Sequence, residues 1–168
     1  MELPICEICV KEDILCPSCE EKLRKGEITE IDVKLSKLIY KLSEKYPGIR
    51  GISIKKTIDM GNLLVLIVGK NEIGNLIGKG GSIIKRIKKE VKRKIKVLEE
   101  TENEKKLVQD VLLPARVQGI NIVYMRDGTQ EYKVRIPKED MQALPADVQT
   151  IEKLLKRVTK KDMKVIFE

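Results

Sequence analysis

Four cysteines cluster near the N-terminus, as Cys6-Glu7-Ile8-Cys9 and Cys16-Pro17-Ser18-Cys19. A short CxxC turn can aim two thiolates at one point, and two such turns supply the four ligands of a tetrahedral, all-thiolate zinc site. The flanking apolar residues (Leu3, Ile5, Ile8, Val10, Ile14, Leu15 and Leu23) are too few to order this stretch alone, so a metal would act as its core. Two disulfides or four unrelated buried thiols are the competing readings, and a reducing compartment disfavours the first. With Cys6, Cys9, Cys16 and Cys19 all ligating, no position stays open for water, so the expected zinc is structural.

A second chemical feature lies in Ile77-Gly78-Lys79-Gly80-Gly81. Glycines let a backbone come close to another backbone, and a helix that follows offers unpaired N–H groups and a positive dipole end to phosphate. Lys79 adds a full charge between the glycines. A P-loop is excluded because Gly80 follows Lys79, and a dinucleotide fingerprint fails because Ile83 stands where its last glycine belongs. The remaining alternative is a tight interhelical turn.

Charge concentrates at the same place. The chain of 168 residues has a net charge of +8. The segment from Lys70 to Lys96 holds ten Lys or Arg against two Glu, which is the whole of that net, while the stretch from Met1 to Thr29 is acidic on balance. Ile84, Ile87, Val91 and Ile95 space out as an apolar helical stripe. Lys85, Arg86, Lys88, Lys89, Lys92 and Arg93 then share an arc of about 160° at 100° per residue. Like charges on one face repel unless an anion lies against them, which points to nucleic acid.

The elements that must hold these residues can be read around them. Thr29-Glu30-Ile31-Asp32 is a helix-start signal, and Ile31, Leu35, Leu38, Leu42 and Tyr46 recur at helical spacing up to Pro47-Gly48. Ile52 and Ile54 open a strand, Asp59-Met60-Gly61-Asn62 turns, and Leu63–Val68 is a buried strand. A short helix over about Asn71–Ile77, the glycine loop, a helix from Ser82 to about Lys92 and a strand Ile95–Leu98 complete the unit. The pattern then recurs: Arg50–Glu100 lies over Gln118–Glu168 without a gap, Gly51-Ile52-Ser53-Ile54 facing Gly119-Ile120-Asn121-Ile122. The repeat predicts helices near Lys105–Leu113, Lys138–Leu144 and Thr150–Val158, a hairpin through Arg126-Asp127-Gly128-Thr129, and a last strand Lys164–Phe167. The second copy lacks the loop: Pro145-Ala146-Asp147-Val148-Gln149 replaces Ile77–Gly81, with an acid in the place of Lys79.

Two helices joined at GxxG, after two strands and before one, resemble the KH fold, and the leading helix resembles its type II form. The expected architecture is α+β: a four-cysteine zinc module over 1–28, a KH domain over 29–100 and a degenerate KH-like domain over 101–168. Together with the CxxC pairs, the pattern resembles archaeal NusA-like proteins. That resemblance implies binding of nascent single-stranded RNA and modulation of transcription elongation or termination, with RNA polymerase as partner. A ribosome-associated factor or protein-interaction adaptor is the alternative. The KH pattern implies a clamp on about four nucleotides, here through Ile77, Gly78, Lys79, Gly80 and Gly81, with Lys85, Arg86 and Lys89 from the basic helix. No enzyme is expected: there is no His, the cysteines are committed to zinc, and the usual proton shuttles and nucleophiles are missing. No small-molecule substrate or membrane partner is expected either. The longest apolar run is Leu63–Val68, far short of a bilayer span, and the N-terminus lacks a signal-peptide pattern, so the expected location is cytoplasmic.

Overall fold

The computed structural model describes residues 1–168 as a mixed α+β protein with seven α-helices and two three-stranded sheets. The chain divides into two compact units, Met1–Glu100 and Thr101–Glu168.

The first unit opens with two short helices, α1 (Glu7–Lys11) and α2 (Pro17–Lys25). The long helix α3 (Glu30–Lys45) starts at a reciprocal cap. The Asp32 carboxylate accepts from the Thr29 backbone N–H (2.8 Å), and the Thr29 hydroxyl accepts from the Asp32 N–H. Asp32 is itself buried, and its other oxygen accepts from the Thr57 hydroxyl on the following strand. One side chain thus both starts the helix and ties it to the sheet. Asp32→Ala orphans these donors and is expected to cost about 1–3 kcal/mol, measurable as a lower denaturant midpoint of the first unit.

Strand β1 (Ile54–Asp59) pairs antiparallel with β2 (Leu63–Val68), and β2 pairs in parallel with β3 (Lys94–Glu99), so β2 is central. Its near-continuous aliphatic run suits a strand covered on both faces. The parallel pairing requires a crossover, supplied by α4 (Ile73–Ile77), the glycine loop and α5 (Ser82–Val91). Leu35, Ile39, Leu64, Leu66, Leu76 and Ile87 are fully enclosed in the core that α3, the sheet and the crossover share.

Helix α5 ends where the sequence places it, at about Lys92, although the apolar spacing runs on to Ile95. Lys92 turns left-handed at φ 56° and closes the helix, so Ile95 lies on β3 rather than on a helical stripe. Arg93 folds back onto the β1–β2 turn, pairing with Asp59 and donating from Nε to the Gly61 carbonyl (2.9 Å). The predicted basic arc therefore loses Arg93, and Lys92 caps it.

The second unit repeats the order: α6 (Glu104–Leu112), β4 (Gly119–Tyr124), β5 (Gln130–Ile136), a 3₁₀ segment Lys138–Ala143, α7 (Val148–Thr159) and β6 (Met163–Phe167). Its sheet has the same sense, antiparallel then parallel. Lys160, the counterpart of Lys92 in the repeat, takes the same left-handed closing turn at φ 63°. The predicted α-helix over Lys138–Leu144 is instead 3₁₀. Pro137 precedes it, and Leu144, held extended before Pro145, stops it. Arg116 grips this segment through two guanidinium bonds to Asp140 (2.8 and 3.0 Å) and one from its backbone N–H (2.9 Å). These bonds from Arg116 hold the Asp140 carboxyl down at about 2. The folded value lies below the ordinary one, so the stabilisation is full above about pH 4 and is lost as pH falls through about 2. Asp140→Asn is expected to lower the melting midpoint of the second unit at pH 7, and the difference from wild type should close in a pH series down to about 2.

Candidate nucleic-acid interface and metal centre

The glycine loop sits on the first-unit crossover, between Ile77 at the end of α4 and Ser82 at the start of α5. Gly78 adopts φ 78°, ψ 170°, a region essentially closed to other residues, and a Cβ there would lie 2.7 Å from Ile83 Cγ1. Gly80 and Gly81 are both left-handed, at φ 63° and 75°. The turn itself thus uses all three glycines. The loop differs from a mere turn at Gly80, where a Cβ would meet nothing within 4 Å, and at Lys79: both are exposed to solvent.

Immediately beyond, α5 begins without a side-chain cap, because Gly81 occupies the cap position. The Ser82 N–H donates to the Lys79 carbonyl, and the first turn as a whole meets no side-chain acceptor at the positive end of the helix dipole. Ile83, Ile84, Ile87 and Val91 bury the inner face of α5, leaving Lys85, Arg86, Lys88 and Lys89 exposed. Ile73 and Ile77 of α4, which leads into the loop, and Ile95 and Val97 of β3 are only partly buried against the core. Of this aliphatic set, the sequence pattern singles out Ile77 alone as a contact. A signal for Ile73 is nonetheless available, since it stands one helical turn before Ile77.

The corresponding turn of the second unit is built oppositely. Asp147, the counterpart of Lys79 in the repeat, caps α7: one carboxylate oxygen accepts from the Thr150 N–H (3.2 Å) and the other from the Thr150 hydroxyl (2.6 Å). The Thr150 hydroxyl bond, then the backbone bond, hold the Asp147 carboxyl below its ordinary range. The helix end that is open in the first unit is filled here by the chain's own anion.

The four cysteines converge at the N-terminus. Cys6 and Cys16 each stand just before a short helix, and Cys9 and Cys19 lie in the first turn of α1 and α2. All four Sγ atoms lie within 4.8 Å of one another. Cys6 Sγ is 3.4 Å from Cys9 Sγ and 3.8 Å from Cys16 Sγ, against about 3.8 Å for sulfurs on a tetrahedral ion with bonds of about 2.3 Å. Backbone N–H groups point at the sulfurs: Cys16 N–H at Cys9 (3.0 Å), Cys6 N–H at Cys19 (3.4 Å) and Cys19 N–H at Cys16 (3.4 Å). Such donors stabilise negative sulfur and orient it. As thiols the four are uneven. The Cys9 backbone N–H and thiol draw Cys6 down to about 7. At Cys9 the Cys16 N–H acts downward, but burial and the neighbouring sulfurs together push it up to about 12. Around them only Ile5, Val10 and Ile28 are buried, with Leu15, Leu23, Val33 and Tyr40 packed alongside. The donor set and the small core both fit a thiolate-held metal.

A helix pair joined at a glycine loop, crossing between parallel strands of a three-stranded sheet, defines a KH-type domain. The KH domain family matches residues 64–109, which run from β2 through the loop and β3 into α6. This KH domain supports RNA binding. Among solved structures, that of APE1850 is similar at a TM-score of 0.57 and 19% identity, covering 78% of this chain and 95% of that one, a likeness of fold. No curated protein matches the sequence. No helix is long and apolar enough to cross a membrane.

Proposed function

We propose that this chain is a non-catalytic protein that binds single-stranded RNA through the Gly78–Gly81 loop and α5, with a structural zinc ion held by Cys6, Cys9, Cys16 and Cys19. The observation that carries this reading is the uncapped start of α5 beside the exposed Lys79 and Gly80. A helix start without a side-chain acceptor, its positive dipole end and a lysine converge there on one point, the chemistry that a backbone phosphate satisfies. Lys85, Arg86 and Lys89 extend the positive face, and Ile73, Ile77, Ile95 and Val97 offer an apolar floor for bases. The second unit, KH-like in element order but self-capped by Asp147, takes no part in gripping phosphate.

The cellular setting that fits best is NusA-like: attachment to nascent transcripts beside RNA polymerase. The order of the elements supports it, with a metal module first, then two KH-type units. Binding of one single-stranded RNA and its duplex across a salt series tests the RNA reading. The single strand should bind more tightly, with affinity falling by about 0.7 logarithmic units per phosphate contact for each tenfold rise in salt. Equal binding of both, with no salt slope, would contradict it. Copurification with RNA polymerase supports the transcription setting, and copurification with ribosomes alone replaces it.

A further inference from the structure

Helix α3 carries a second row of cations on the first unit. Lys34, Lys37, Lys41 and Lys45 recur at spacings of three and four. They share an arc of about 80° at 100° per residue and span about 16 Å of the helix axis. Lys34, Lys41 and Lys45 are exposed, and Lys37 is partly so. Elsewhere a helical lysine often meets an acid one turn away, as Lys11 meets Glu7, Lys25 meets Glu21 and Lys106 meets Asp110. On α3 the residue one turn before Lys41 is Lys37, and the residue one turn before Lys45 is Lys41. Like charges so placed repel. Against the four lysines, the acids on this side of the helix are Glu30 and Glu44, so the row keeps a positive surplus.

The row is continuous with the helix that follows the glycine loop. Lys41, Glu44 and Lys45 of α3 line a groove of about 400 Å³ together with Arg86 and Glu90 of α5, over the partly buried Leu38. Arg86 lies about one helical turn from Ser82, where the loop meets α5. It therefore belongs both to the positive face beside the loop and to the wall of the groove. A strand that leaves the loop over Arg86 comes to Lys41 and Lys45 across that groove. Successive cations about 6 Å apart along one axis suit a regularly charged polymer.

We propose that single-stranded RNA longer than the clamp continues from the loop across Arg86 and onto α3, its phosphates lying along Lys34, Lys37, Lys41 and Lys45. This rests on the reading of the loop as the RNA grip, and it enlarges the footprint beyond the roughly four nucleotides that such a loop holds. Phosphate contacts carry no base identity. The row on α3 therefore adds a dependence on RNA length and leaves sequence preference to the loop and its apolar neighbours.

Binding of the full chain to an oligouridylate of about four nucleotides, the length of the clamp, and to one of about twelve tests this across a salt series. The longer strand should bind wild type more tightly and with a steeper salt dependence. The triple variant Lys34→Gln, Lys41→Gln, Lys45→Gln keeps helix-forming side chains and should bind the short strand as wild type does. Its affinity for the long strand should fall at least about tenfold, and its salt slope by about 2, which is about 0.7 for each of three lost contacts. A matched variant, Lys105→Gln, Lys138→Gln, Lys153→Gln, removes the same charge from exposed positions of the second unit and should bind both strands as wild type does. A long strand bound equally by wild type and the α3 variant overturns the proposal and leaves the row to an acidic protein surface. So does an equal loss in the matched variant, which would make the effect one of net charge. Failure of wild type to bind the short strand would instead remove the loop reading, and this proposal with it.

Discussion

The double variant Lys79→Asp, Gly80→Asp is expected to lose single-stranded RNA binding by at least about tenfold at moderate salt, which corresponds to about 1.4 kcal/mol. The change replaces a cation with an anion beside the open helix end and sets a second carboxylate next to it. Either carboxylate puts a negative charge beside the start of α5, where a phosphate would otherwise lie. The fold should survive. Lys79 is exposed, Gly80 has open space at its Cβ position, and Asp tolerates the left-handed conformation better than most residues. A substitution at Gly78 would test something else, because its backbone conformation and the nearby Ile83 make it a folding requirement. The variant is checked by a salt-series titration alongside circular dichroism. A folded variant that binds as wild type would move the site away from the loop.

The second large effect concerns the metal. Native protein is expected to hold one zinc per chain, and Cys19→Ser or strong chelation should unfold the module over 1–28 while leaving the KH domain folded. The asymmetry follows from the two cores. The N-terminal module buries Ile5, Val10 and Ile28 around Cys9 and Cys19 and little else. A structural zinc contributes about 10–16 kcal/mol at neutral pH, nearly all of such a module's folding energy. The core over α3, the sheet and α5 includes no cysteine. Metal analysis paired with hydrogen exchange separates the two: amides of α1 and α2 should lose protection on chelation, and those of β2 and α5 should keep it. Native protein without metal but with α1 and α2 fully protected would contradict the assignment. RNA binding should persist in Cys19→Ser, since the module is acidic and the basic residues lie on the crossover.

Much of the site is legible in the sequence because its residue types have few other uses. Paired CxxC turns and a lysine between glycines are sparse signals, and the structure brings each set together. The helix start at Thr29 is equally readable, since a cap needs particular side chains at fixed spacing. The far end of the basic arc is not. Val91 and Ile95 are four apart, so the apolar period runs on through the point where Lys92 turns left-handed and Arg93 leaves the helix. Lysine there gives no stop signal such as glycine would. The 3₁₀ segment at Lys138–Ala143 is hidden for a related reason: the repeat carries over a helix, and only Pro137 and Pro145 set its tighter form. The capping role of Asp147 is also missed when it is read only as an acid in the place of Lys79. Thr150, at capping distance along the chain, is the available signal.

The central claim is that RNA is held at one helix end and not at its repeat. The most direct measurement is an amide-shift map of the full chain titrated with a short single-stranded RNA. Saturable shifts are expected over Gly78–Lys89 and at Ile95 and Val97, with Pro145–Thr150 unmoved. Shifts centred on Pro145–Thr150, or confined to the cysteine module with the loop silent, would contradict it.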